Sequence, residues 1–256
     1  MTKPILVVAQ QFRESASGGG GIYVTELVEQ YRKLAPVAVL SVDVAGAPYQ
    51  RRETFYEVPL HMYQEGNLTV WRYPITTTRP HSAFHPDPEQ NFRQQTNFAR
   101  FAALWIAPQT NAFSFIHLHD HFALPGIVTS SLKPRTVPII STIHALESEI
   151  WRSLNERGIR YDPGQIEKRR ALELAAIASD FVTFTSPLAA HHYETFLHNW
   201  QVPFDAAKIK VVPGAVNPAY ILPKPPRRPN RAKTTVLALG RFDPVKNFEL
   251  LIDVFR

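Results

Sequence analysis

Ser15-Ala-Ser-Gly-Gly-Gly-Gly21 stands between an apolar run, Pro4-Ile-Leu-Val-Val-Ala9, and the segment Ile22-Tyr-Val-Thr-Glu-Leu-Val-Glu-Gln-Tyr31. The apolar run reads as a buried strand. In the following segment Val24, Leu27, Val28 and Tyr31 recur at helical spacing. The glycines therefore lie at a strand-to-helix joint. Glycine lets a backbone approach a ligand closely, and a helix N-terminus offers unpaired N–H groups and about half a positive charge. Together they suit a phosphate or another anionic, hydroxyl-rich group. A plain flexible turn is the competing reading of any glycine cluster.

Outward from this joint, the pattern repeats. Val37–Val42 reads as a second buried strand after the turn at Pro36, followed by an irregular polar stretch over 44–68. Leu68–Tyr73 alternates and stops at Pro74, which predicts an edge strand. Gln90–Ile106 carries Phe92, Phe98, Phe101, Ala102 and Trp105 along one helical side. Phe113–His119, Val137–Ile143, Phe181–Thr185 and Lys208–Val212 read as further strands, with helices over Ala123–Leu132 and Gln165–Ser179. Ser186-Pro187 supplies an N-cap and a first-turn proline for another helix. Strands alternating with helices predict an α/β fold, a Rossmann-like, mostly parallel sheet with helices on both faces. Such sheets bind ligands beyond the C-terminal ends of their strands. The glycine run, the histidines after residue 116, His144 and Pro213-Gly214 all fall at such ends.

Composition changes after this. Pro218–Lys233 holds five prolines and five basic residues and reads as a linker. Beyond it Val236–Leu239 starts a strand, Gly240–Lys246 a loop and Phe248–Phe255 a helix. The expected organisation is one domain over 1–217, a linker over 218–234 and the start of a second domain over 235–256. The whole chain of 256 residues is 45% hydrophobic, as a globular protein should be, and has no cysteine, which excludes disulfides and thiolate metal sites. No stretch suits a signal peptide or a membrane span, so a cytoplasmic protein is expected. The net charge of +6 is spread over short groups such as Arg51-Arg52 and Lys168-Arg169-Arg170. Without interleaved aromatics these do not indicate nucleic acid; anionic donors or peripheral contact with anionic lipid head groups fit them better.

Two clusters carry candidate chemistry. His117-Leu-His-Asp-His121 places three imidazoles on one face of a strand, an arrangement able to bind zinc with Asp120 as ligand or orienter. The competing reading puts His117 in the core and leaves His119 and His121 near a polar ligand. His144 ends a strand in the same crevice, where it can hold or polarise a substrate hydroxyl. In the loop after Val236–Leu239, Arg241 and Lys246 precede a helix start and suit a diphosphate. A dinucleotide fingerprint fits poorly. Asp43 is the acidic residue such a fold wants after its second strand, but eight residues separate Ala9 from Gly18 and Tyr23 stands where a third glycine belongs.

In order, these segments resemble the family 4 retaining glycosyltransferases of GT-B fold. Ser17–Val24 resembles that family's Gly-Gly loop and first helix, and Phe115–His119 its hydrophobic-His-x-His strand. Ser141–His144 resembles its Thr-x-His segment, Ala178–Ser186 its Ala-Asp strand, and Lys208–Gly214 the strand before its crossover. Val236–Lys246 resembles its donor loop. The resemblance implies two Rossmann-like domains across a cleft, the first binding an acceptor and the second a nucleotide-sugar. It implies Gly18, Gly19 and Gly20 near the donor phosphates, Arg241 and Lys246 on the diphosphate, and His144 at the donor sugar and reacting centre. The diphosphate itself takes the acceptor's proton, and neither metal nor cofactor is needed. His119 and His121 would then face a sugar, lipid-linked or small-molecule acceptor. Two departures are mild: Gly-Ala-Val-Asn217 at the crossover, and Asn247 where glycine is usual. The family's Glu-x7-Glu segment would lie past residue 256, so this chain alone is expected to be inactive or impaired. A non-catalytic acceptor- or partner-binding remnant and a zinc hydrolase built on the histidine cluster are the rival readings.

Overall fold

The computed structural model describes residues 2–16, 18–76, 82–85, 87–120, 123–134, 136–214 and 252–254. In chain order the elements are β1 (Ile5–Ala9), α1 (Gly19–Tyr31), β2 (Val37–Val42), β3 (Arg51–Phe55), β4 (Val58–Glu65), β5 (Leu68–Tyr73) and α2 (Pro88–Ile106). They continue with β6 (Ile116–Asp120), α3 (Ala123–Ser131), β7 (Ile139–Ile143), α4 (Glu147–Glu156), α5 (Pro163–Ala175), β8 (Phe181–Phe184), α6 (Pro187–Asn199) and β9 (Ile209–Val211). Among the described residues, nine strands form one sheet in the order β3-β4-β5-β2-β1-β6-β7-β8-β9. Every neighbouring pair from β5 to β9 is parallel. The fold is thus the doubly wound α/β sheet that the alternating pattern predicts.

The buried strands show why continuous apolar runs form this sheet. Leu6 and Val8 point into a core shared with Phe98, Ala102 and Trp105 of α2 and Leu124 and Val128 of α3. Ile5, Val7 and Ala9 point the other way, into a core with Val24 and Val28 of α1. With both faces covered, every residue of β1 and β2 is buried. The N-caps follow the sequence as well. Asp87, Asp162 and Ser186 each accept a hydrogen bond from the first turn of α2, α5 and α6, each followed by proline.

Two expectations are corrected. The stretch read as irregular contains β3 and β4, an antiparallel hairpin that turns at Tyr56 and Glu57, both at positive φ. Leu68–Tyr73 is no edge: β5 pairs with β2 on one side and β4 on the other. Its alternation arises because Leu68, Val70 and Arg72 are buried while Thr69, Trp71 and Tyr73 are half-covered. Arg72 is tolerated inside because its guanidinium meets Glu14 at 2.6 Å.

Candidate active site

The strand order reverses between β1 and β6, and the chain leaves β1 there toward the glycine run. That is the topological switch point, where open α/β sheets bind ligands. The residues between Ala9 and Gly18 are folded tightly. A short 3-10 turn, Arg13–Ser15, buries Phe12, whose N–H donates to Ser15 Oγ at 2.8 Å. Arg13 ties the turn to α1 and β4 through Glu29 at 2.8 Å and Glu65 at 3.0 Å. This insert explains the poor fit to a dinucleotide fingerprint: the chain takes a detour before entering α1. Asp43 is also engaged elsewhere, 2.8 Å from His61 Nδ1 on β4.

The four glycines have separate roles. Gly18 is the N-cap of α1, with no side chain to cap the helix, and nothing crowds Gly18 or Gly19. The first N–H groups of the helix are thus left without a side-chain cap. Gly20 lies against His144; a β-carbon on it would stand 3.6 Å from the imidazole. Gly21 is a packing residue: a β-carbon there would come within 2.8 Å of Ala16 and 2.9 Å of Gln11.

His117 and His119 of β6 lie on the α1 side of the sheet, in register with Val7 and Ala9 of β1. His117 is a core residue. Its Nδ1 bonds the Tyr31 hydroxyl at 2.8 Å and its Nε2 bonds Thr142 Oγ1 at 2.8 Å, which in turn meets Thr183 Oγ1 at 2.6 Å. Burial pushes its pKa down to about 3, so it is neutral. With both nitrogens taken, His117 is removed from any zinc set. Among the described residues no group of three His, Cys, Asp or Glu side chains could hold a metal ion. His119 lies against His117 with ring centroids 3.9 Å apart and planes tilted by 41°, and His144 stacks on His119 at 5.8 Å. Tyr23, from the first turn of α1, caps this row. Its ring lies 5.9 Å from His119 and 5.5 Å from His144. Gly214, past the end of β9, touches the same tyrosine: a β-carbon there would be 3.6 Å from its ring.

So the glycine run, His119, His144 and Gly214 do converge at one edge, as their strand-end positions predict. His121, Arg241 and Lys246 lie outside the described residues. Tyr23 is a member that the sequence reading passed over, noting only that it was not glycine. Behind His144, α4 was also unforeseen. Its first turn is held by Glu173 of α5, which accepts from the Ser148 N–H at 3.1 Å and from the Ser148 hydroxyl. Glu173 is fully buried, and burial pushes its pKa up to about 7. Arg169, equally buried, lies 3.6 Å from the Trp151 ring centre and 4.5 Å from that of Phe92, and ion-pairs with Glu147 at 3.5 Å. Beside His144 a cleft of about 420 Å³ opens between α4 and α6, lined by Leu146, Ile150, Phe184, Phe196 and Trp200.

A doubly wound sheet with a helix N-terminus at its switch point is the architecture of Rossmann-like domains. The sequence profile described as Glycosyltransferase Family 4 matches residues 17–220. The chain belongs to that family. A comparison with curated proteins finds no match. Among solved structures it is similar to GT-B glycosyltransferases. One is the catalytic domain of starch synthase IV from Arabidopsis thaliana bound to ADP and acarbose (TM-score 0.56, 15% identity, 84% of this chain and 52% of that one). Another is a UDP-forming α,α-trehalose-phosphate synthase from Burkholderia xenovorans (TM-score 0.51, 14% identity, 83% and 48%). The latter type from the same organism also matches in complex with glucose-6-phosphate (TM-score 0.51, 13% identity, 77% and 43%). The chain spans about half the length of these structures. No helix among the described residues is long and apolar enough to cross a membrane.

Proposed function

We propose that this chain forms the acceptor side of a retaining glycosyltransferase that moves a sugar from a nucleotide-sugar to an acceptor hydroxyl. One observation carries the reading: the uncapped glycine entry of α1 lies directly against the His144 ring, at the switch point of the sheet. Donor phosphates sit at Gly18, Gly19 and Gly20, where N–H groups and the helix dipole favour negative charge. His144 then faces the donor sugar at the reacting centre. Arg241 and Lys246 stabilise charge on the departing diphosphate. The bond from the anomeric carbon to phosphate oxygen breaks as the bond to the acceptor oxygen forms on the same face. The acceptor's proton passes to the departing diphosphate, so no protein base, metal or cofactor is called for. His119 and His121 hold acceptor hydroxyls. The ADP in the Arabidopsis structure and the glucose-6-phosphate in the Burkholderia structure support a nucleotide-linked donor and a sugar acceptor in general.

On this reading 1–217 is the acceptor-binding domain, 218–234 the linker and 235–256 the start of the donor domain, in a cytoplasmic protein with peripheral attraction to anionic lipid. Transfer needs donor and acceptor held together in reactive geometry. We keep the reading that these 256 residues transfer little sugar by themselves; the second reading is a non-catalytic acceptor- or partner-binding remnant. Calorimetric titration with UDP-sugars, GDP-sugars and free sugars, run beside a transfer assay, tests both. The expected result is weak sugar binding that His144→Ala weakens further, with little turnover. Robust turnover without a partner would overturn the impaired-chain reading, and no binding of any of these ligands would overturn the acceptor-domain reading.

A further inference from the structure

His119 is the anomaly of the edge. It is 1% exposed, and among the described residues neither ring nitrogen has a hydrogen-bond partner. A buried polar atom left without a partner carries the full cost of its lost hydration, so most such atoms in native proteins are paired. Several polar groups beside it on the strands are bonded: His117 at both nitrogens, Thr142 to His117 and Thr183, and Ser141 to Ser179 at 2.6 Å. Against these, His119 has neither of its nitrogens paired.

What covers it is Tyr23. This ring is half-buried, stands in the first turn of α1 beside the uncrowded Gly18 and Gly19, and leans on His119, His144 and the backbone at Gly214. We propose that Tyr23 is an access-controlling residue: its ring closes over His119, and when it swings aside a ring nitrogen of His119 becomes available to a hydroxyl of a bound ligand. The ligand class follows from the imidazole. Surrounded by apolar and neutral groups it is uncharged, with one N–H donor and one bare nitrogen acceptor. An anion would gain no charge from it, whereas a hydroxyl both donates and accepts. The pairing with His117 fixes the His119 ring from behind, and Tyr23 needs only a rotamer change at its first side-chain torsion. Gly214 gives the closed ring its outer wall, so the chain's exit from the sheet touches the same residue that guards the imidazole. The hydroxyl half of this inference rests on the sugar-site reading above; the access half does not.

Carbethoxylation of histidines by diethyl pyrocarbonate, read peptide by peptide in a mass spectrometer, tests it on the 256-residue chain without any transfer activity. Exposed His191 is the internal standard, and His117 reports local unfolding. Tyr23→Ala is expected to raise the rate at His119 by about tenfold relative to His191 while His117 stays unreactive, and Tyr23→Phe to stay within about twofold of the parent, since shielding needs the ring and not the hydroxyl. An unchanged His119 rate in Tyr23→Ala overturns the access role. A joint rise at His117 and His119 also overturns it, because it marks unfolding and not uncovering. In a second arm, methyl α-glucoside is added to Tyr23→Ala. Slower labelling of His119 at a constant His191 rate supports hydroxyl binding; unchanged labelling overturns that half, leaving the access result to stand on its own.

Discussion

The backbone of Gly20 lies against the imidazole of His144, at a distance where one added carbon would stand 3.6 Å from the ring in ordinary contact. The neighbouring glycine, Gly21, is crowded by the backbone of Ala16 instead. Two adjacent residues of identical type thus face different surroundings, one the His144 ring and one the backbone of the scaffold.

Glycine-to-alanine substitutions should separate these roles. Gly21→Ala forces Ala16 or Gln11 to move and is expected to cost about 1–3 kcal/mol, as overpacking does. Gly18→Ala and Gly19→Ala meet no neighbour; Gly19→Ala is expected to leave stability unchanged or slightly raised and Gly18→Ala, at the N-cap, to lower it by less than about 1 kcal/mol, yet both to weaken binding of a nucleotide-sugar. The most damaging should be Gly126→Ala, since a β-carbon there would overlap the Leu172 carbonyl oxygen at 2.2 Å where α3 crosses α5. Urea unfolding of the four variants checks the order; a Gly21→Ala protein as stable as the parent would contradict it.

His144→Ala should weaken sugar binding by about tenfold or more while its melting point stays within a few degrees of the parent, because the ring is half-buried and sits over the ligand space rather than in the core. Normal binding by the variant would return His144 to a structural role.

How far this edge was readable from sequence depends on the kind of signal. β1, β2, β6 and β7 announced themselves because residues buried on both faces leave long apolar runs, and the chain order then placed Gly18, His119 and His144 at one edge. The β3–β4 hairpin did not. Its turn residues Tyr56 and Glu57 take positive φ without glycine or asparagine to mark them. Its first strand is largely exposed and carries charges such as Arg51, Arg52 and Glu53, and its second is mostly half-buried. Proline after Tyr73 suggested an edge, but its missing N–H lies past the last paired residue and costs the ladder nothing. The pairing of His117 with Tyr31 and Thr142 joins residues 86 and 25 positions apart, and no local pattern encodes it. The same is true of Glu173 reaching back to Ser148.

Metal analysis of the purified chain is expected to show less than stoichiometric zinc, and chelation to leave the melting curve in place, because both nitrogens of His117 are already committed to Tyr31 and Thr142. One equivalent of zinc that shifted the imidazole signals of His117 and His119 would revive the hydrolase reading.

The dependence of stability on pH follows from three buried groups that pull in opposite directions. His117 and His119 have pKa values depressed by burial from an ordinary 6.5, to about 3 for His117 and well below the usual range for His119. Their contribution is complete above pH 6.5 and is lost as pH falls, since the unfolded chain binds two protons that the folded one refuses. Glu173 behaves oppositely. Burial raises it from 4.5 to about 7, so its contribution is complete below pH 4.5 and lost as pH rises to about 7. Between pH 4.5 and 6.5 the unfolded state therefore holds a net one proton more, and stability should rise with pH by about 1.4 kcal/mol per unit. Above pH 6.5 the histidine term is exhausted and Glu173 alone remains, so stability should pass through a maximum near pH 6.5 and fall slightly beyond it. Glu173→Gln removes the opposing proton: the acid-side slope should about double and the decline beyond the maximum vanish. His119→Phe should make the acid-side slope nearly flat, one histidine and one glutamate then cancelling. Urea midpoints measured from pH 4.5 to 8 on the parent and both variants decide the matter. A parent midpoint that is constant across the acid range, or a Glu173→Gln slope no steeper than the parent's, would show that these three groups do not titrate as their burial requires.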